Sequence, residues 1–282
     1  MQATIIQNNQ MRGMVKKMNK AEYTDINTKA IDSWVEKGWE WSRPISHEEY
    51  LKAKNGLWQE IKAMCLTPSK IVPSEWFKPY LENNRLNNVK LLGLACGGAQ
   101  QMPIFAALGA NCTVLDYSSR QLENEEMVSN REGYSIEIVK ADMTKTLPFK
   151  DESFDIIFHP VSNCYIEDTY HIWNECFRIL KPNGILLSGM DNGINFLADD
   201  SNPLLVVNKL PYNPLLDKEL YEKSIKNNWG IQFSHTIEEQ IGGQLKAGFI
   251  LLDIYEDTDN IGIGEYIPNY IATRAKKPSL KF

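Results

Sequence analysis

The 282-residue chain lacks most of the features that would commit a protein to a scaffold, a membrane or a polyanion. Its 5 cysteines, Cys65, Cys96, Cys112, Cys164 and Cys176, form no CxxC pair and no zinc-finger spacing, and an odd number cannot close a complete disulfide framework. His, Cys and Asp nowhere cluster at metal-ligand spacing, so no metal is expected. No run is long and apolar enough to span a bilayer. The start, Met1-Gln-Ala-Thr-Ile-Ile, has no basic region followed by an apolar core and a cleavage site, so a reducing, cytoplasmic setting is expected. There is no dense basic tract, and a formal net charge of -6 gives no footprint for nucleic acid. Internal repeats and low-complexity segments are absent as well.

What is present is the composition of a globular protein, 43% hydrophobic and 23% charged, with enough length to bury a full core. One stretch organises it: Asn88-Val-Lys-Leu-Leu-Gly-Leu-Ala-Cys-Gly-Gly-Ala-Gln-Gln-Met102. It reads as a buried strand over 89–95, a small-residue turn at Ala95, Cys96, Gly97 and Gly98, and a helix over 101–108. Such a turn brings backbone amides and a helix start close to a ligand. It does not match GxGxxG, the spacing that seats a dinucleotide pyrophosphate, and this disfavours an NAD(P)-dependent oxidoreductase.

Residues 1 to about 20 are mixed and basic and are expected to fray. Residues 25–41 carry helical apolar spacing and contain Trp34, Trp39 and Trp41, which read either as anchors for an N-terminal segment or as an aromatic wall over a ligand. Ser46 and Glu49 form a capping-box pattern for a helix starting at His47. Prolines 68, 73 and 79 then break the chain, and residues 1–86 read as a helical cap with few strand signals. From 87 to 282 strands at 89–95, 111–116, 135–140, 154–159 and 184–188 alternate with helices at 101–108, 119–130 and 169–180. That order implies right-handed crossovers into a parallel, doubly wound α/β sheet. Residues 191–231 look like an irregular insertion able to form a lid or substrate wall; a helix over 236–245 and two closing strands, 248–255 and 270–274, follow.

In such a sheet a ligand sits beyond the carboxyl ends of the strands. Asp116 ends the second strand, where a carboxylate can accept both ribose hydroxyls of an adenosine, with Tyr117 and Ser118 beside it. Asp142 ends the third, where it can take an adenine amino group while Met143 packs on the ring. Gln100 and Gln101 could supply amide oxygens at the helix start. His159 ends the fourth strand as a candidate general base or as a shaper of the pocket, and Cys164 follows near the reacting end.

These stretches together resemble a class I S-adenosylmethionine-dependent methyltransferase of the small-molecule type that includes the ubiquinone/menaquinone biosynthesis enzymes. The resemblance is carried by Leu91-Leu-Gly-Leu-Ala-Cys-Gly-Gly-Ala99, Val114-Leu-Asp-Tyr-Ser118, Lys140-Ala-Asp-Met143, Ser153-Phe-Asp-Ile-Ile-Phe-His159 and Glu175-Cys-Phe-Arg-Ile-Leu-Lys-Pro-Asn-Gly-Ile-Leu-Leu187, a core over 89–189. The Trp-rich N-terminal segment resembles that of a bacterial subgroup. The resemblance implies a Rossmann-like seven-stranded sheet with a reversed last strand, S-adenosyl-L-methionine as cofactor, Asp116 on the ribose, Asp142 and Met143 around the adenine, and a small-molecule methyl acceptor. It also exposes a departure: the usual acidic residue of the first strand is Gly93, and two loop glycines are Ala95 and Ala99. Alanine is expected to serve there if the backbone angles are ordinary. The departure leaves a second reading, a ligand-binding protein without transfer activity. Oligomeric state is left open.

Overall fold

The computed structural model describes residues 22–199 and 202–279. The N-terminal stretch expected to fray and Asp200 lie outside them. Helix α1 (Tyr23–Glu36) and helix α2 (His47–Lys54) precede the sheet. The capping box of α2 is formed: Ser46 Oγ accepts the Glu49 amide at 3.2 Å and Glu49 Oε2 accepts the Ser46 amide at 2.8 Å.

The body alternates β1 (Lys90–Leu94), α3 (Met102–Ala107), β2 (Asn111–Asp116), α4 (Ser119–Glu132), β3 (Ile136–Lys140), β4 (Phe154–His159), α5 (Thr169–Ile179) and β5 (Leu180–Asp191). After the insertion come α7 (Gly243–Ala247), β8 (Ile250–Asp257) and β9 (Tyr270–Lys276). The 7-stranded sheet has the order β3-β2-β1-β4-β5-β9-β8. β9 runs antiparallel to both β5 and β8, and the other neighbouring pairs are parallel, so the architecture is the Rossmann-like one with a reversed strand.

Both faces of this sheet are covered, which is why its central strands read as continuous apolar runs. Alternation along β1 sends Leu91 into one cluster, with Phe105, Trp58, Trp76 and Phe77, and Leu92 and Leu94 into the other, with Ile172 and Trp173. The N-terminal residues Ile45 to Leu86 thus share a core with the sheet. Gly189 marks their closest approach: a Cβ there would lie 2.0 Å from the Leu66 carbonyl oxygen. Only glycine lets the 65–68 segment lie over the end of β5.

Three elements differ from the sequence expectation. The strand expected over 184–188 starts earlier, at Leu180, and takes in residues 181–184: Phe154 pairs with Leu180 and Ile156 with Ile185, leaving an irregular bulge with Asn183 at φ 67°. The last helix begins as a π turn over Glu238–Gly242 before α7. The insertion is more regular than its Pro and Asn content implies, with a hairpin of β6 (Ala198–Asp199) and β7 (Asn202–Val206), then α6 (Lys218–Lys226), started by Asp217 capping the Glu219 and Leu220 amides.

Candidate active site

A cavity of about 540 Å³ lies beyond the carboxyl ends of β1, β2, β4 and β5. Ala95, Cys96, Gly97, Asp116 and Gln121 form one end; Cys164, Tyr165, Asp191, Asn195 and Tyr270 form the other. Trp39, Trp41 and the Cys65 to Pro68 segment cover it from the N-terminal side, and Phe196, Tyr212 and Trp229 from the insertion. Trp39 and Trp41 of the N-terminal segment and residues of the 191–231 insertion therefore line one space.

The loop after β1 keeps a glycine-like path with alanines in it. Ala95 has φ 48° and Ala99 φ 57°, beside Gly98 at 97°. The backbone angles are not ordinary, contrary to the expectation, and each alanine carries roughly 1 to 2 kcal/mol of left-handed strain. Surrounding bonds impose the conformation. The Ala95 amide donates to Leu115 O at 2.8 Å, the Gly98 amide to Gln121 O at 3.0 Å, and Ala99 O accepts the Ile45 amide at 3.0 Å. The Ala99 amide donates to the buried Glu125 carboxyl at 2.6 Å. Burial pushes Glu125 up to about 8, against the lowering effect of that bond. At Gly93, where the resemblance leads one to expect a carboxylate, a Cβ would lie 2.4 Å from Met102 Sδ. The sulfur fills the space an acidic side chain would need.

Asp116 Oδ2 accepts the Gly97 amide at 3.0 Å and Oδ1 the Ser118 amide at 2.9 Å; burial raises its carboxyl above the usual range while these bonds lower it. Beside it, Gln121 Oε1 is buried without a hydrogen-bond partner. A Cβ on Gly97 would lie 2.7 Å from Gln121 Cβ and 3.0 Å from Asp116 Oδ2, so the cradle is open only because that residue is glycine. One carboxylate and one orphaned amide oxygen at such a cradle fit the donor hydroxyls of the ribose of S-adenosylmethionine.

Several predicted site residues stand off the cavity wall. His159 is inaccessible, with Nδ1 2.9 Å from Leu94 O, Nε2 2.8 Å from Asn163 Oδ1, and its ring edge-on to Trp173. Burial lowers its pKa, with the two hydrogen bonds opposing. A ring so enclosed does not line the cavity, a position in keeping with the second of the two roles expected for it, a shaper of the pocket, rather than with the first, a general base. Tyr117 Oη donates to Asp25 at 2.7 Å and Ser118 Oγ to Asp32 at 2.5 Å, both carboxylates belonging to α1. Asp142 accepts the Thr144 amide at 2.8 Å, and Met143 is part of the core with Leu147 and Phe154. Trp34 donates to Asn228 O at 2.9 Å and packs edge-on against Trp39, which does line the cavity. Gln100 and Gln101 line it too, but their amide nitrogens tie down the cap: Gln100 donates to Glu40 O at 2.8 Å and Gln101 to Cys65 O at 3.4 Å.

Sequence reasoning missed Gln121, Asp191, Asn195, Tyr270 and the Cys65 to Pro68 segment. Asp191 had a legible signal, since it ends an apolar strand just as Asp116 does. Its carboxyl accepts the Gly193 amide and the Asn195 side-chain amide, and burial pushes it up to about 6. Among the described residues no helix is long and apolar enough to cross a membrane, and no group of His, Cys, Asp and Glu is placed to hold a metal ion.

This sheet order, with the small-residue loop and the strand-end carboxylate, defines the class I methyltransferase architecture, and a methyltransferase-domain family model matches residues 92–188. The chain is 41% identical over 257 residues, covering 89% of itself and 97% of its relative, to the uncharacterized methyltransferase YbaJ of Bacillus subtilis. It belongs to the methyltransferase family of that relative, on the class I S-adenosylmethionine-dependent methyltransferase architecture. A ubiquinone/menaquinone subgroup is not resolved by these matches. Among solved structures it is similar in fold to an S-adenosylmethionine-dependent methyltransferase from Mesorhizobium loti, with TM-score 0.55, 17% identity, and coverage of 72% of this chain and 94% of that one. It is similar also to the [4+2]-cyclase SpnF, with TM-score 0.50, 18% identity, and coverage of 68% and 76%.

Proposed function

We propose that the protein transfers a methyl group from S-adenosylmethionine to a small molecule held in the roofed cavity. The observation that carries this reading is the continuity of one cleft from the Gly97, Asp116 and Gln121 cradle to the ends of β4 and β5. When bound, the sulfonium supplies an activated methyl group, and displacement needs chiefly alignment and exclusion of water. In this reading Asp116 and Gln121 hold the ribose, and the Ala95 to Ala99 loop lies against the methionyl end. Trp39 and Trp41 with Phe196 and Tyr212 exclude solvent, while His159 fixes the carboxyl end of β4 against β1 through Leu94.

Met102 in place of a strand-one carboxylate favours a second reading, binding without transfer. Calorimetric titration with S-adenosylmethionine and S-adenosylhomocysteine tests what the two share: no binding of either near millimolar concentration overturns both. Asp116→Ala should weaken binding by about tenfold or more, the loss of a buried charge-assisted contact, and an unchanged affinity contradicts the ribose assignment. Transfer of labelled methyl from the bound donor into a small-molecule cell extract separates the readings, since binding with no transfer leaves the second.

A further inference from the structure

Asp191 sits at the carboxyl end of β5, three strands from Asp116 in the order β2-β1-β4-β5. At the usual strand spacing that separates the two carboxylates by roughly 14 Å. The cavity wall therefore carries Asp116 beside the glycine cradle and, apart from that cradle, Asp191 at the end of β5, with Asp199 of β6 a third acid in its lining.

Among the described residues the partners of Asp191 include no cation. Its hydrogen-bond donors are neutral, the Gly193 amide and Asn195 Nδ2. The titratable groups that feel its charge are the Asp259 carboxyl, the Cys164 thiol and the Tyr165 and Tyr270 hydroxyls. Among the described residues no Lys, Arg or His forms an ion pair with it. The lysine on the cavity wall, Lys223, lies over the Trp229 ring, 5.1 Å from its centroid. A desolvated carboxylate without a counter-charge is costly; the rings of Tyr165 and Tyr270, which feel its charge, line the same cavity, as does the stacked pair of Phe196 and Tyr212, and aromatic rings of this kind attract cations.

From this geometry we infer that the methyl acceptor carries a protonated amine and that Asp191 is the anion that receives it. The inference rests on the methyltransferase reading and names its substrate class. An acceptor with a carboxylate or phosphate at that end meets Asp191 with like charge, and a neutral hydroxyl gains one hydrogen bond but neither the ion pair nor the cation–π contacts. The ammonium so held has no lone pair and serves as the recognised group of the acceptor.

The test uses the full chain saturated with S-adenosylhomocysteine, titrated calorimetrically with phenethylamine, histamine and spermidine, and with 2-phenylethanol and 3-phenylpropionate as neutral and anionic counterparts. At least one amine should bind about tenfold or more tightly than both counterparts, and Asp191→Asn should erase that preference while leaving S-adenosylhomocysteine affinity unchanged. In wild-type protein carrying carboxyl-labelled aspartate, saturating amine should move the Asp191 titration to lower pH, a readout that survives if the variant does not fold. Equal binding of the alcohol or acid, no amine binding below about 10 mM, a preference retained in Asp191→Asn, or an unmoved Asp191 signal each overturns the inference. Retained S-adenosylhomocysteine binding assigns any such failure to the amine alone, whereas its loss in the wild type sinks the methyltransferase reading.

Discussion

Glu125 Oε1 accepts the amide hydrogen of Ala99 at 2.6 Å from a position with no solvent access. A helix α4 carboxyl therefore clamps the Ala95 to Ala99 loop from behind, and Asn124 on the same helix holds the cap by donating to Ser42 O at 2.9 Å. The other carboxyl oxygen of Glu125 has no partner, which suits a protonated acid better than a carboxylate.

Raised to about 8 from a usual 4.5, Glu125 is protonated in the folded state and ionised in the unfolded state between those values. The folded state then binds the extra proton, so this group stabilises fully below about pH 4.5 and its contribution is lost as pH rises through 8. The slope reaches about 1.4 kcal/mol per pH unit for one proton. Urea unfolding of wild type and Glu125→Gln should show a stability difference that shrinks or reverses from pH 5 to pH 8, because the amide keeps an acceptor for Ala99 and does not ionise. A difference independent of pH would mean that Glu125 is charged in the folded protein.

The strained alanines make a second expectation. Ala95→Gly relieves a left-handed alanine at φ 48°, worth roughly 1 to 2 kcal/mol, and gives back part of it through the freer unfolded chain. Ala106→Gly, in the last turn of α3, gains no such relief and costs up to about 1 kcal/mol. Denaturation midpoints should place Ala95→Gly above Ala106→Gly by a free-energy gap of about 1 to 2 kcal/mol. Equal losses in the two variants would show that the Ala95 conformation is not strained.

Much of this arrangement was legible in the chain. The apolar runs ending in Asp116, His159 and the Ala95 to Gly98 turn announce parallel strands with polar ends, whereas the seven-stranded order with its reversed strand came only from the family resemblance. What side chains do at those ends was less legible, because it depends on long-range partners. Tyr117 and Ser118 are taken up by Asp25 and Asp32 of α1, and His159 by Leu94 and Asn163. Periodicity within one segment carries no trace of such pairings. Leu66 was hidden for the same reason, since its place over β5 depends on the missing side chain of Gly189, far along the chain.

His159 separates a structural histidine from a catalytic one. Its pKa is lowered, so the folded protein keeps the ring neutral while the unfolded chain protonates near 6.5. The unfolded state then binds more protons below that value, and stability falls as pH drops from about 6.5 toward the folded pKa. His235, lowered by burial too, acts in the same direction, so the contribution of His159 is read from a variant. His159→Ala should lose roughly 2 to 4 kcal/mol at neutral pH, from the cavity beside Trp173 and the partners left at Leu94 and Asn163. That loss should diminish below pH 6 as the wild type gives up its own advantage. In nitrogen-15 spectra of the wild-type histidines, the His159 signal should remain that of a neutral ring well below pH 6.5. A signal titrating at or above 6.5 and absent from the variant would place a proton-exchanging imidazole within reach of the cavity and restore the general-base role.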